Sequence, residues 1–126
     1  MMKRMATGLA AAALLAGCAG ENHYEQLADQ VTKAVIANDM RPVEKDFNAL
    51  ARPQLENRAK VGALSDQLNA LGTFKRNRED TPKGEPSTYH AFAAEFTKGT
   101  WQLVMRLDAD GKIASFHIAP PSPAPQ

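Results

Sequence analysis

The chain has 126 residues with 15 basic and 14 acidic side chains, a formal net charge of +1, and a single cysteine. So even a balance projects no field able to gather nucleic acid or an anionic substrate, and one thiol excludes any intramolecular disulfide. The length is one domain's worth, so the fold has to stand on a single hydrophobic core.

Lys3 and Arg4 precede the apolar run Leu9-Ala10-Ala11-Ala12-Ala13-Leu14-Leu15, which passes into Leu15-Ala16-Gly17-Cys18. A positive start, a short apolar stretch and a small-residue cleavage site are the parts of a secretory signal. The run falls well short of the roughly 20 residues a spanning helix needs. Its ending resembles the lipobox of bacterial lipoproteins. That resemblance implies cleavage between Gly17 and Cys18, a diacylglycerol on the Cys18 thiol and a domain anchored to the membrane by lipid. The competing readings are a retained signal anchor and a plain secretory signal that leaves a free thiol. Ala19 follows the cysteine where an Asp would retain the protein at the inner membrane, so the same resemblance implies an outer-membrane protein facing the periplasm. The expected division is a signal peptide over 1–17, a lipidated tether over 18–23, an α+β domain over 24–119 and a Pro-rich tail over 120–126.

Asn22 and Glu25 have the spacing of a capping box. Behind them Tyr24, Leu27, Ala28, Val31, Ala34 and Val35 recur at helical spacing, which predicts an amphipathic helix ended by Asn38 and Asp39. Pro42 suits the first turn of a second helix that buries Val43, Phe47, Leu50 and Ala51. Pro53 opens a third, with Val61, Leu64, Leu68 and Leu71 on one face and Gly72 closing it.

The period then changes to alternation. Thr73 to Arg78 read as a strand with Phe74 inward and Lys75, Arg76 and Arg78 in solvent, and Asp80 to Ser87 read as a loop. Three further strands are predicted over Tyr89–Phe96, Trp101–Leu107 and Ile113–Ile118, joined at Lys98-Gly99 and at Asp108-Ala109-Asp110-Gly111. Pairing Thr97 with Thr100 sets Phe96 opposite Trp101, Ala94 opposite Leu103 and Phe92 opposite Met105. One face then carries Leu103, Met105, Leu107, Ala114, Phe116 and Ile118, and the other Glu95, Gln102, Arg106, Ser115 and His117. A sheet with one dry face needs helices to cover it. The predicted fold is α+β, with N-terminal helices packed on one face of a curved antiparallel β-meander.

This order of elements resembles the cone-shaped NTF2-like (cystatin-like) superfamily. Gly99-Thr100-Trp101-Gln102-Leu103-Val104 followed by Leu107-Asp108-Ala109-Asp110-Gly111-Lys112-Ile113 is similar to the end of the DUF3887 type, as is a helix finishing in Leu71-Gly72 ahead of a strand. The resemblance implies a secreted or lipid-anchored module that is not itself an established catalyst.

Few residues carry chemistry. His90 falls on the dry face beside Phe92, where it is a candidate general acid or base in the mouth of a cone. Spacing forces no carboxylate near it, and the plainer reading is a hydrogen-bonded edge histidine. Phe92, Phe96, Trp101, Leu103, Met105 and Phe116 are candidates to line an apolar pocket, or plain core. Asp108-Ala109-Asp110-Gly111 opens like a calcium loop but lacks the third acidic ligand and the closing glutamate, so it reads as a hairpin turn. His90 and His117 face opposite sides of the sheet and make no zinc set. No phosphate loop or nucleophile elbow is present in the sequence, and neither metal nor cofactor is expected. The expected function is a noncatalytic binding module for an envelope protein partner or a small apolar ligand. The alternative is a small NTF2-like enzyme using His90. Expected partners are the membrane, through the lipid on Cys18, and no nucleic acid; the polar sheet face leaves room for a homodimer.

Overall fold

Helix α1 (His23–Ile36) starts where the capping-box spacing puts it. Asn22 Oδ1 accepts the Glu25 amide at 2.7 Å, and Glu25 Oε1 accepts the Asn22 amide at 2.8 Å. Leu27, Ala28, Val31, Ala34 and Val35 form its buried stripe, and Asn38 ends it with φ at 54°. This structure, a computed structural model, describes residues 22–121. The signal peptide, Gly17, Cys18 and the tail beyond Pro121 lie outside the described residues.

The next two predicted helices come out differently. Pro42 opens a 3₁₀ helix (Arg41–Asp46), after which Phe47 pairs in a parallel bridge with Ile113. Asn48 then turns the chain. Its amide donates to the Ile113 carbonyl at 2.9 Å and its Oδ1 accepts the Ala51 amide at 2.9 Å. Val43, Phe47 and Ala51 are buried as expected, but Leu50 faces solvent and is 89% exposed. Pro53 opens only the single turn α2 (Arg52–Leu55). A fresh start follows at Asn57, whose side chain accepts the Lys60 amide at 3.1 Å and caps α3 (Arg58–Asn69). Ser65 and Asn69 on α3 both donate to the Ile36 carbonyl, at 2.7 and 3.2 Å. Those bonds satisfy a carbonyl in the last turn of α1 and pin α3 beside it.

Strands β1 (Phe74–Glu79), β2 (Tyr89–Phe96), β3 (Gly99–Leu107) and β4 (Ile113–Ala119) form one antiparallel sheet in the order β1-β2-β3-β4. The first hairpin turns at Thr97-Lys98, so Phe96 faces Gly99, Ala94 faces Trp101 and Phe92 faces Leu103. This corrects the expected register by two residues. The cause lies outside the hairpin: Thr97 and Lys98 donate to the carbonyls of Thr73 and Leu71, and Thr97 Oγ1 accepts the Thr73 amide. An even slip leaves the side chains of β2 and β3 on their faces. On β4, Phe116 and Ile118 stay on the dry side, but the register shift opposite Arg106/Leu107 pairs Ile113 with Leu107 and buries it, in place of the expected Ala114.

The curved, cone-forming meander is corrected too. The sheet is open and not curved, with β1 and β4 as its two outer strands, so no cone closes around an interior. Strong bending needs bulges inside strands, whereas the two register shifts here lie at strand ends, at Phe74/Arg76 and Arg106/Leu107. The α+β assignment, with helices packed on a four-stranded antiparallel sheet, holds. Helix α1 lies over β1 and β2, and α3 packs on α1. Between the layers Val31, Val35, Val43, Phe47, Phe92, Leu103, Met105 and Ile113 are almost wholly removed from water. Among the described residues no helix is long and apolar enough to cross a membrane.

Candidate functional site

His90 is buried, at 8% exposure, and sits in a polar corner between the start of α1 and the end of β1. Its Nδ1 is 2.7 Å from Glu79 Oε2, and its Nε2 is 2.9 Å from the Ser87 carbonyl. The ring stacks on Tyr24 with centroids 3.9 Å apart. The cross-strand neighbour that sequence spacing did not supply is thus Glu79, brought in by β1. Around it Thr81 Oγ1 donates to Glu79 Oε2 at 2.6 Å and Asn22 Nδ2 donates to Oε1 at 3.0 Å. Burial pushes the Glu79 carboxyl up, but the hydrogen bonds from Thr81, His90 and Asn22 and the charge on His90 outweigh it and hold the group below its ordinary range. Both atoms facing the imidazole nitrogens are acceptors, a carboxylate oxygen and a backbone carbonyl, so both ring nitrogens are engaged in this structure.

The six pocket-lining candidates separate. Phe92, Phe96, Leu103 and Met105 are core, Trp101 is half-buried at its margin, and Phe116 opens onto a groove. That groove exists because α3 packs on α1 and leaves β4 partly uncovered. It encloses about 290 Å³, lined by Val35, Leu55 and Leu64 from the helices and by Phe116 and Ile118 from β4. Lys60 and His117 stand exposed at its rim. Lys60 enters no ion pair among the described residues. Phe116 is held by an edge-on contact with Phe47, centroids 5.6 Å apart.

Two other hollows are less suited to a ligand. One, of about 190 Å³, is bordered by Asp39, Arg41, Glu44 and Arg58. Its strongest charges are already matched, since the Arg41 guanidinium hydrogen-bonds Asp39 and holds that carboxyl down at about 2. The other, between α1 and the 3₁₀ helix, is larger, about 420 Å³, but more open to solvent, and is rimmed by Lys33 and Lys45. The Asp108 turn spends its carboxylate internally: Oδ1 accepts the amides of Asp110 and Lys112 at 2.9 Å each, and Oδ2 accepts from Asn48 at 3.2 Å. Among the described residues no cluster of three or more potential metal ligands forms.

Sequence reading singled out Phe116 but missed the groove. Its other walls come from Val35 of α1 and from α2 and α3, and the Asn57 cap starts α3 afresh after α2. Asn57 followed by the Val61, Leu64, Leu68 stripe carried that signal. Comparison of the chain with protein-family models, with curated proteins and with solved structures finds no match.

Proposed function

We propose that this chain is a lipid-anchored envelope protein acting as a noncatalytic binding module, with the groove between α3 and β4 as its seat. The anchor rests on the Leu15-Ala16-Gly17-Cys18 signal. The binding role rests on one observation: a half-open apolar groove of about 290 Å³ with, at its rim, a lysine that enters no ion pair among the described residues. Apolar lining with a few placed polar groups is the usual make-up of a binding site. The alternative enzyme built on His90 is the weaker reading, because both ring nitrogens are engaged and the ring is stacked under Tyr24.

An anilinonaphthalene sulfonate dye, apolar with one anionic group, matches this groove and tests it. The purified chain is expected to bind the dye saturably. Leu64→Glu, which puts an anion among the apolar walls and against the dye's sulfonate, should weaken binding roughly tenfold or more, at least the effect of losing one buried aliphatic contact. Leu50→Glu, at an exposed leucine outside the groove, should leave it unchanged. Equal loss in both variants, or none in Leu64→Glu, would count against the groove.

A further inference from the structure

The two edges of the sheet are treated differently by the rest of the chain. On β1 the outward amides of Asn77 and Glu79 are taken by carboxylates one helical turn apart on α1: Asp29 Oδ1 at 2.8 Å and Glu25 Oε2 at 2.7 Å. The strand also carries Lys75, Arg76, Arg78 and Glu79, charges that discourage pairing with another chain. On β4 the picture reverses. Its sequence, Ile113-Ala114-Ser115-Phe116-His117-Ile118-Ala119, has no Lys, Arg, Asp, Glu or Pro. Phe47 and Asn48 cover the edge at Ile113. Among the described residues, no hydrogen bond from outside the β3 ladder reaches the backbone from Ala114 to Ala119. A row of unpaired amides and carbonyls is a template for one more strand. It lies directly against the apolar groove, since Phe116 and Ile118 belong to both.

Resting on the groove reading above, the geometry points to an extended peptide segment of a partner protein as the occupant, added to β4 as a fifth strand. Its backbone completes the β4 ladder, its alternate apolar side chains enter the groove against Leu64 and Leu55, and an acidic residue meets Lys60. Strand addition divides the work in this way, main-chain bonds giving affinity and side-chain pockets giving selectivity. The volume agrees: about 290 Å³ is at or below the lower limit of the ~300–1,000 Å³ typical of sites that swallow whole ligands, and suits the side chains of a chain lying across it.

The test uses the full chain in detergent micelles and linear peptides selected on it from a random displayed library. Selected peptides should alternate apolar and polar residues with an acidic position, and should slow hydrogen exchange along β4 from Ser115 to Ala119. Single backbone N-methyl groups, scanned along one such peptide, should weaken binding roughly tenfold at every second position and little in between, because only alternate amides face the ladder. Peptides that bind as helices, an N-methyl scan without period two, or unprotected β4 amides would overturn the proposal. So would a second copy of this chain already protecting β4 in a concentration-dependent dimer. If the dye occupies the groove and no peptide does, strand addition fails while the groove reading stands. If neither binds, both fail.

Discussion

At the scale of single residues, the Glu79 side chain ties three stretches of chain into one corner. It accepts from Thr81 and Asn22, faces His90 at 2.7 Å, and its amide is held by Glu25. Its carboxyl is held below the ordinary range in the folded protein, so its contribution is fully present above the unfolded value near pH 4.5 and is lost as the pH falls through the lower folded value. Glu79→Gln should therefore lower the unfolding free energy at neutral pH, read from urea titration, by about 1–3 kcal/mol for loss of charge-assisted bonds to a partly buried group. The gap to the parent should narrow as the pH drops through the acid range. A gap independent of pH would show that the carboxylate charge is not what holds the corner. Little of this was legible beforehand. His90 was placed on the correct face by alternation, but its partner comes from a strand whose inward residues are set by an extra residue, Lys75, in the bulge between Phe74 and Arg76. That bulge puts Phe74 and the buried Asn77 on the same side although they are three apart, which simple alternation forbids.

At the scale of elements, local signals were readable where they were self-contained and failed where distant chain decided the outcome. The capping box and stripe of α1 needed nothing else, and α1 formed as read. The second helix failed because Asn48 is drawn to the Ile113 carbonyl on β4, 65 positions further on, and no local pattern announces that bond. The first hairpin slipped by two because its turn is held by Leu71 and Thr73, and Gly72 is what lets the two approach. Gly72 has φ at +88°, and a Cβ there would collide with Thr97 Oγ1. Gly111 also has positive φ, at +81°, but open space around it. Gly111→Ala should cost about 1–2 kcal/mol from backbone strain alone. Gly72→Ala adds a steric clash in a tied-down joint and should cost more, about 2–4 kcal/mol, with the loss read from chemical unfolding midpoints. Equal losses at the two glycines would mean that the Thr97 contact yields freely and does not set the hairpin register.

At the scale of the whole molecule, the described chain starts at the β1 edge of the sheet, whereas the proposed binding edge is β4. Asn22, at the start of α1, bonds to Glu79 on β1, and three residues separate it from Cys18. Four Cα steps span at most about 14 Å, so a lipid on Cys18 would hold the β1 corner close to the bilayer surface. Strands lie about 4.8 Å apart, which puts β4 roughly 14 Å across the sheet from β1. The edge capped by Glu25 and Asp29 would face the anchor side, and the uncapped edge with its groove would remain open to the periplasm. Each buried methylene of an acyl chain contributes about 0.8 kcal/mol to membrane binding, and stable anchoring takes more than one chain. On the proposed reading, Cys18→Ser would remove the thioether and with it the anchor, at a position outside the described residues. Fractionation should move the protein from the membrane to the soluble fraction, while dye binding in the groove and the unfolding midpoint stay at parental values. If the variant instead still pellets with membranes and retains its first seventeen residues, the apolar stretch before Cys18 acts as a retained anchor, and the lipid assignment falls while the groove reading stands.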